Sequence, residues 1–151
     1  MRIIRASVDQ RLDALALLTE YYEAVGVVKR DTLADVEGFL RDEASGLWIA
    51  YAEEMPAGCV VLRPLPSMGF AGECKRLYVR SEFRGRGIAE ALLDAMEDHG
   101  RALGLKEIYL DSKDDLTVAI NLYRKRQYQP CAAYNDNPQA TIFMRKVLSA
   151  L

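Results

Sequence analysis

Apolar residues recur in two rhythms along this chain, a spacing of two and a spacing of three to four. Residues 1–6 (Met-Arg-Ile-Ile-Arg-Ala) form a short apolar stretch that predicts a first strand, too brief for the core of a signal peptide. Ser7 is a helix-capping residue, and Leu12, Leu15, Leu18, Tyr22 and Val25 after it read as one apolar stripe, ending at Gly26. A second short helix is expected around 33–40. Residues 47–52 and 59–62 then read as strands paired in a hairpin across 53–58. Pro64, Pro66, Gly69 and Gly72 predict a loop, followed by a strand at 73–79. Simple alternation puts Glu73, Lys75, Leu77 and Val79 on one face of that strand and Cys74, Arg76 and Tyr78 on the other.

The later part of the chain is more regular. Ile88, Leu92, Ala95 and Met96 share one face of a helix over 88–103 that stops near Gly104. A strand at 106–111, a helix at 116–126 with Ala119, Ile120 and Tyr123 inward, and a last strand at 143–148 complete the pattern. The element order is β-α-α-β-β-β-α-β-α-β-β, an α/β (α+β) chain. No repeat, linker or low-complexity tract divides the 151 residues, so one domain over 1–151 is expected.

Chemistry concentrates between the strand at 73–79 and the helix at 88–103. Arg84-Gly85-Arg86-Gly87-Ile88-Ala89 is a glycine-rich turn that opens a helix. Glycine lets the backbone approach a guest closely, and the helix start offers free N–H groups and the positive dipole end. That is a seat for a phosphate or pyrophosphate. A P-loop string, G-x-x-x-x-G-K-[ST], is absent from the sequence. A dinucleotide turn, G-x-G-x-x-G, fails at its third glycine, where Glu90 stands and close helix packing wants no side chain.

Arg84-x-x-Gly87-x-Ala89 does match [QR]-x-x-G-x-[GA], the acyl-CoA turn of the GNAT superfamily of N-acetyltransferases. Ala119-Ile120-Asn121-Leu122-Tyr123-Arg124-Lys125 is similar to the A-I-x-L-Y-x-K segment of the same superfamily, and Phe143-Met144-Arg145-Lys146-Val147-Leu148 resembles its last strand. The chain therefore resembles a small GNAT member from about Cys74 to its end. Two positions depart from the pattern. Leu116 stands where many members carry Asn, with Asn121 further along the same helix, and Gln127-Tyr128 replaces Gly-Phe.

The resemblance implies a mixed, twisted sheet of six to seven strands flanked by about four helices, and acetyl-CoA as cosubstrate. It implies acetyl transfer to an amine acceptor within a ternary complex. Leu77, Tyr78 and Val79 would pair with the pantetheine through their main chain, with a bulge opening the slot. Arg84, Gly85, Arg86, Gly87, Ile88 and Ala89 would seat the pyrophosphate, with Asn121 nearby. Glu73, eleven residues before Arg84, stands where some members carry a general base. An alkyl ammonium of pKa near ~10.4 must lose a proton before it attacks. The alternative for Glu73 is an ion pair at a strand end. Tyr123 matches the tyrosine that protonates the departing thiolate; the alternative is a ring packed on the sheet. A GNAT-fold protein that binds acyl-CoA without catalysis is the competing function. Dimerisation is a habit of the family.

Composition narrows the rest. A net charge of −2 disfavours a nucleic-acid partner, and no apolar run approaches the ~20 residues of a membrane span. Three cysteines (Cys59, Cys74, Cys131) without C-x-x-C spacing argue for a reducing, cytoplasmic compartment and against a zinc site. His99 reads as solvent-facing on its helix, and Cys74 as a buried, inert thiol. Arg124, Lys125 and Arg126 are candidates to reach adenosine phosphates. Tyr21, Tyr22 and Tyr134 are candidates for the acceptor pocket, with Asp136 to attract an amine. The acceptor's identity stays open.

Overall fold

The computed structural model describes residues 1–26 and 30–149. Seven strands form: β1 Arg2–Arg5, β2 Gly46–Ala52, β3 Met55–Pro64, β4 Ala71–Val79, β5 Glu107–Ser112, β6 Gln129–Pro130 and β7 Ile142–Val147. Four helices flank them: α1 Arg11–Val25, α2 Leu33–Arg41, α3 Ile88–Ala102 and α4 Thr117–Lys125. The sheet runs β1-β2-β3-β4-β5-β7-β6, and every neighbour pair is antiparallel except β4 and β5. Among the described residues no helix is long and apolar enough to cross a membrane.

Both faces of the sheet are covered, which is why its central strands are apolar at nearly every position. Leu92, Leu93 and Met96 of α3 and Tyr123 of α4 pack with Val60, Leu62, Ile108 and Leu110 on one face. Leu17, Leu18 and Tyr22 of α1 and Val36 of α2 pack with Leu47, Ile49, Cys59 and Val61 on the other. The stripe of α1 differs from the expected one. Ser7 caps a short 3₁₀ turn at Val8–Gln10, and α1 buries Ala14, Leu17, Leu18 and Tyr22. Leu12 is 63% exposed, because at 100° per residue it lies about 120° around the helix from Leu18. His99 is not solvent-facing either: its ring sits edge-on to Trp48 at 5.2 Å, and burial holds its pKa below the usual value.

The β2–β3 hairpin closes in two residues. Glu53 (φ 54°) and Glu54 (φ 64°) are both left-handed, as a tight primed turn requires, although neither is Gly or Asn. The six-residue loop expected at 53–58 is therefore too long; the usual turn residues are absent, so the sequence does not announce it.

The bulge in β4 changes more. Cys59 pairs with Tyr78 while Val61 pairs with Lys75, so β4 carries one extra residue there, and Arg76 is left-handed at φ 58°. Past the bulge the alternation is reversed. Leu77 and Val79 join Cys74 on the α3 face, and Tyr78 packs on the α1 face. The strict alternation expected for 73–79 is corrected accordingly: Leu77 and Val79 do not share a face with Glu73, which lies beside Arg63 on the α1 side with Val61.

Candidate active site

Among the described residues β4 and β5 are the one parallel pair, and they are bonded only from Ala71 to Glu73 against Glu107 to Tyr109. Beyond that point they diverge, and a cavity of about 710 Å³ occupies the gap. Parallel strands that part at their carboxyl ends are a common place for a ligand, because main-chain groups lose their sheet partner there. The cavity reaches both faces of the sheet. Tyr21, Ala24 and Val25 of α1 line one end, and Ile88, Ala89, Leu122 and Tyr123 of α3 and α4 line the other.

The α3 end is built for an anion. Gly87 (φ 77°) is the residue before the helix and makes no side-chain cap, so the first-turn N–H groups of α3 have no intrahelical partner. Gly85 is also left-handed (φ 78°), and a Cβ at either glycine would meet no atom within 4 Å. The surface over the turn is thus open at the place where backbone donors converge. Arg84 lines the cavity and donates through Nε to the Val79 carbonyl at 3.1 Å. Arg86 turns away, 3.7 Å from Glu53 and stacked over the Phe83 ring at 5.1 Å, and is not part of the lining.

Midway along the gap lies Tyr123, buried beside the Tyr128 ring at 5.7 Å. Burial pushes its phenol well above the ordinary value, so it is protonated at neutral pH. Cys74 also lines the gap; burial raises its thiol, which makes it a poor nucleophile. Asn121 is on the exposed side of α4 and outside the lining, whereas Leu116, at the start of α4, is part of it.

Where β4 and β5 part, a polar cluster gathers. Glu73 is 2% exposed; its Oε1 accepts from Arg63 Nε at 2.9 Å, and its Oε2 from the Tyr134 hydroxyl at 2.6 Å and Asn135 at 3.4 Å. Lys75 Nζ lies between Glu73 (3.6 Å) and Asp111 (3.4 Å). Asp111 Oδ2 accepts from Asn135 at 2.7 Å and Asn137 at 3.4 Å. Lys75, Asp111 and Asn137 line the cavity; Glu73 does not.

Of the residues expected from the sequence, Leu77, Tyr78, Val79, Arg84, Gly85, Gly87, Ile88, Ala89 and Tyr123 surround this one cavity. Tyr21 joins them, but Tyr22 hydrogen-bonds Asp31 and Arg76, Tyr134 serves Glu73, and Asp136 is exposed. Arg126 is held by Asp94 at 2.6 Å and Glu97 at 3.1 Å, away from the turn. Lys75, Arg76, Asp111, Lys113 and Asn137 line the cavity without having been singled out. For the first four the available signal was their place toward the carboxyl ends of two neighbouring parallel strands, whereas Asn137 comes from the loop before β7. Among the described residues no cluster of three or more His, Cys, Asp or Glu is placed to hold a metal.

Comparison with known proteins gives this geometry a context. An uncharacterized N-acetyltransferase of Schizosaccharomyces pombe is 33% identical over 93 residues, 61% of this chain and 56% of that protein. An IAA acetyltransferase of Azospirillum brasilense is 34% identical over 94 residues, 60% of each. The chain thus spans a little over half the length of these curated relatives. In structure it is similar to a PaiA N-acetyltransferase of Thermoplasma acidophilum in complex with coenzyme A, with TM-score 0.76 and 16% identity over 97% of this chain and 98% of that one. A GNAT-family acetyltransferase of Staphylococcus aureus superposes with TM-score 0.81 and 16% identity over 98% and 99%. The sequence model of the acetyltransferase (GNAT) family matches residues 12–128, from α1 through α4, and so takes in both walls of the gap and its glycine turn. With fold, turn and sequence model in agreement, the chain belongs to the GNAT acetyltransferase family.

Proposed function

We propose that this chain is an acetyl-CoA-dependent N-acetyltransferase that moves an acetyl group directly onto an amine within a ternary complex. One observation carries the reading: a single cavity joins the uncapped start of α3, the free edge of β4 and a buried neutral phenol. The volume lies within the roughly 300–1,000 Å³ usual for small-molecule sites. The residues fit the group. The N–H donors of the first turn of α3 and Arg84 would hold the pyrophosphate. The main chain of 77–79, bulged away from β5, would pair with the pantetheine amides as an added strand. Bound there, acetyl-CoA supplies an activated acyl thioester.

The chain's own residues then have distinct tasks. A backbone N–H in 77–79 polarises the thioester carbonyl. The acceptor enters from the α1 side as an ammonium and gives up a proton to the polar cluster. Its lone pair forms the C–N bond, the C–S bond breaks, Tyr123 donates to the departing sulfur, and the second proton on the nitrogen returns the Tyr123 phenolate to phenol. Glu73 is a positioning residue in this scheme. Its oxygens are occupied by Arg63, Tyr134 and Asn135, and it reaches the cavity indirectly, through Lys75 and Asn135, both of which it shares with Asp111.

Calorimetric titration with acetyl-CoA, run beside NAD and ATP, tests the reading. Micromolar binding of acetyl-CoA alone is expected; binding of NAD instead, or of none of the three, overturns it. Gly87→Glu sharpens the test, because it sets a carboxylate in the anion seat. Affinity should fall by more than tenfold, with a modest stability cost of about 1 kcal/mol for a side chain at positive φ.

A further inference from the structure

The α1 end of the cavity carries more charge than the proton transfer of the acetyl-transfer scheme needs. Asp111, at the end of β5, takes its contacts from Lys75, Asn135 and Asn137 on a single oxygen, Oδ2. Its Oδ1 has no partner among the described residues, and Asp111 lines the cavity. Arg76, on the opposite wall, spends only Nε, donated to the Tyr22 hydroxyl at 2.7 Å. Lys113 gives one hydrogen to the Val25 carbonyl at 2.8 Å. Neither cation has a carboxylate within ion-pair distance among the described residues, and both line the cavity at this end.

Arg76 is also the left-handed residue of the β4 bulge (φ 58°). A bulky non-glycine side chain in that conformation is strained and is found where the fold over-determines it, often at functional sites. The bulge sends Arg76 to the α1 side, toward Tyr22. One free carboxylate oxygen and two unspent cations on facing walls form a receptor for a guest with both signs of charge.

We propose that the acceptor is a small amine that also bears a carboxylate, an α-amino acid or a close analogue. Asp111 Oδ1 receives its ammonium, and the guanidinium of Arg76 with the ammonium of Lys113 holds its carboxylate. Arginine suits this task because its planar fork meets both carboxylate oxygens at once. The inference rests on the acetyltransferase reading and deepens it.

The test separates the two claims. Acetyl-CoA binding is measured first by calorimetry; its absence would remove the acetyltransferase reading and this one with it. With binding established, thiol release from acetyl-CoA is followed with a panel of amino acids, each beside the decarboxylated amine of the same side chain. At least one amino acid should turn over, with kcat/KM at least tenfold above its decarboxylated partner. Arg76→Gln and Lys113→Gln should each raise the acceptor KM about tenfold or more and leave the acetyl-CoA Kd unchanged. Lys113→Gln also serves if the bulge variant fails to fold, since Lys113 lies beyond the end of β5. Equal use of the decarboxylated amines, no turnover of any amino acid by a protein that binds acetyl-CoA, or an unmoved KM in Lys113→Gln would each overturn the proposal.

Discussion

Glu73 and Glu97 are chemical twins in different surroundings. Each is almost fully buried, at 2% and 1% exposure. Each accepts from a tyrosine, Tyr134 at 2.6 Å and Tyr128 at 3.0 Å, and each is paired with an arginine and a lysine. Each shares a cation with an aspartate, Asp111 through Lys75 and Asp94 through Arg126, so both clusters carry two positive and two negative charges. The difference is position. Glu97 clamps α3 to β7 through Lys146 and to the turn after α4 through Arg126, and none of these groups lines the cavity. Glu73 sits where β4 and β5 part, so two members of its cluster, Lys75 and Asp111, face the open gap. A buried carboxylate with matched partners is therefore not a mark of catalysis. A matched cluster with one side left open to a cavity is a candidate for it.

The sharpest way to break this contrast is Glu97→Gln. It leaves the partly buried Lys146 and Arg126 without their shared carboxylate, Arg126 keeping only Asp94, and a loss of about 3 kcal/mol, the low end for a broken buried pair, is expected in chemical denaturation. The acetyl-CoA affinity of the folded fraction should not change; a weakened affinity would mean that this cluster also serves the site. Tyr123→Phe should lower kcat about 100-fold, in the range of general-acid effects, with the acetyl-CoA Kd unaltered. Full activity would reduce Tyr123 to a packing ring like its neighbour Tyr128.

Glu73→Gln should have a smaller effect on stability than Glu97→Gln, since the Arg63 side chain is 43% exposed and can be solvated. Its signature lies in catalysis: about a tenfold loss of kcat and a displaced pH–rate profile, because the carboxylate that holds Lys75 beside Asp111 is gone. An unmoved profile would make the two clusters equivalent.

The least effect is expected at a pair away from both clusters. Hydrogen bonding from Arg80 holds the Glu20 pKa below its usual value. A carboxylate lowered in the folded state stabilises it above the unfolded pKa and loses that contribution as pH falls through the folded value. Glu20→Gln should therefore melt slightly below the parent at pH 7 and level with it in strong acid. A difference that persists in acid would show the pair to act through packing alone.

Much of this was legible in the chain itself. The element order, the α3 and α4 faces and the glycine turn follow from local rules: helical spacing, glycine's freedom at positive φ, and the free donors of a helix start. Each needs only near neighbours in sequence, and for that reason Gly85 and Gly87 could be named before any coordinates, whereas Tyr123 was named through the family resemblance of its helix. Gln127 was also readable, standing where glycine is usual, and it adopts φ 74°.

The tertiary structure alone decided the rest. Nothing local says that β4 carries an extra residue at Arg76, because a bulge is a mismatch between two strands and exists only once β3 is paired. That single residue reversed the faces of Leu77 and Val79. The burial of Glu73 depends on Arg63, ten residues earlier, and on Tyr134, sixty-one residues later. Asp111, Arg76 and Lys113 likewise become neighbours of one cavity only because two parallel strands part company after three residues of pairing. Short-range physics wrote the glycine turn into the sequence. Long-range pairing built the charged α1 end of the cavity, where side chains from different strands meet across a gap that no stretch of sequence contains.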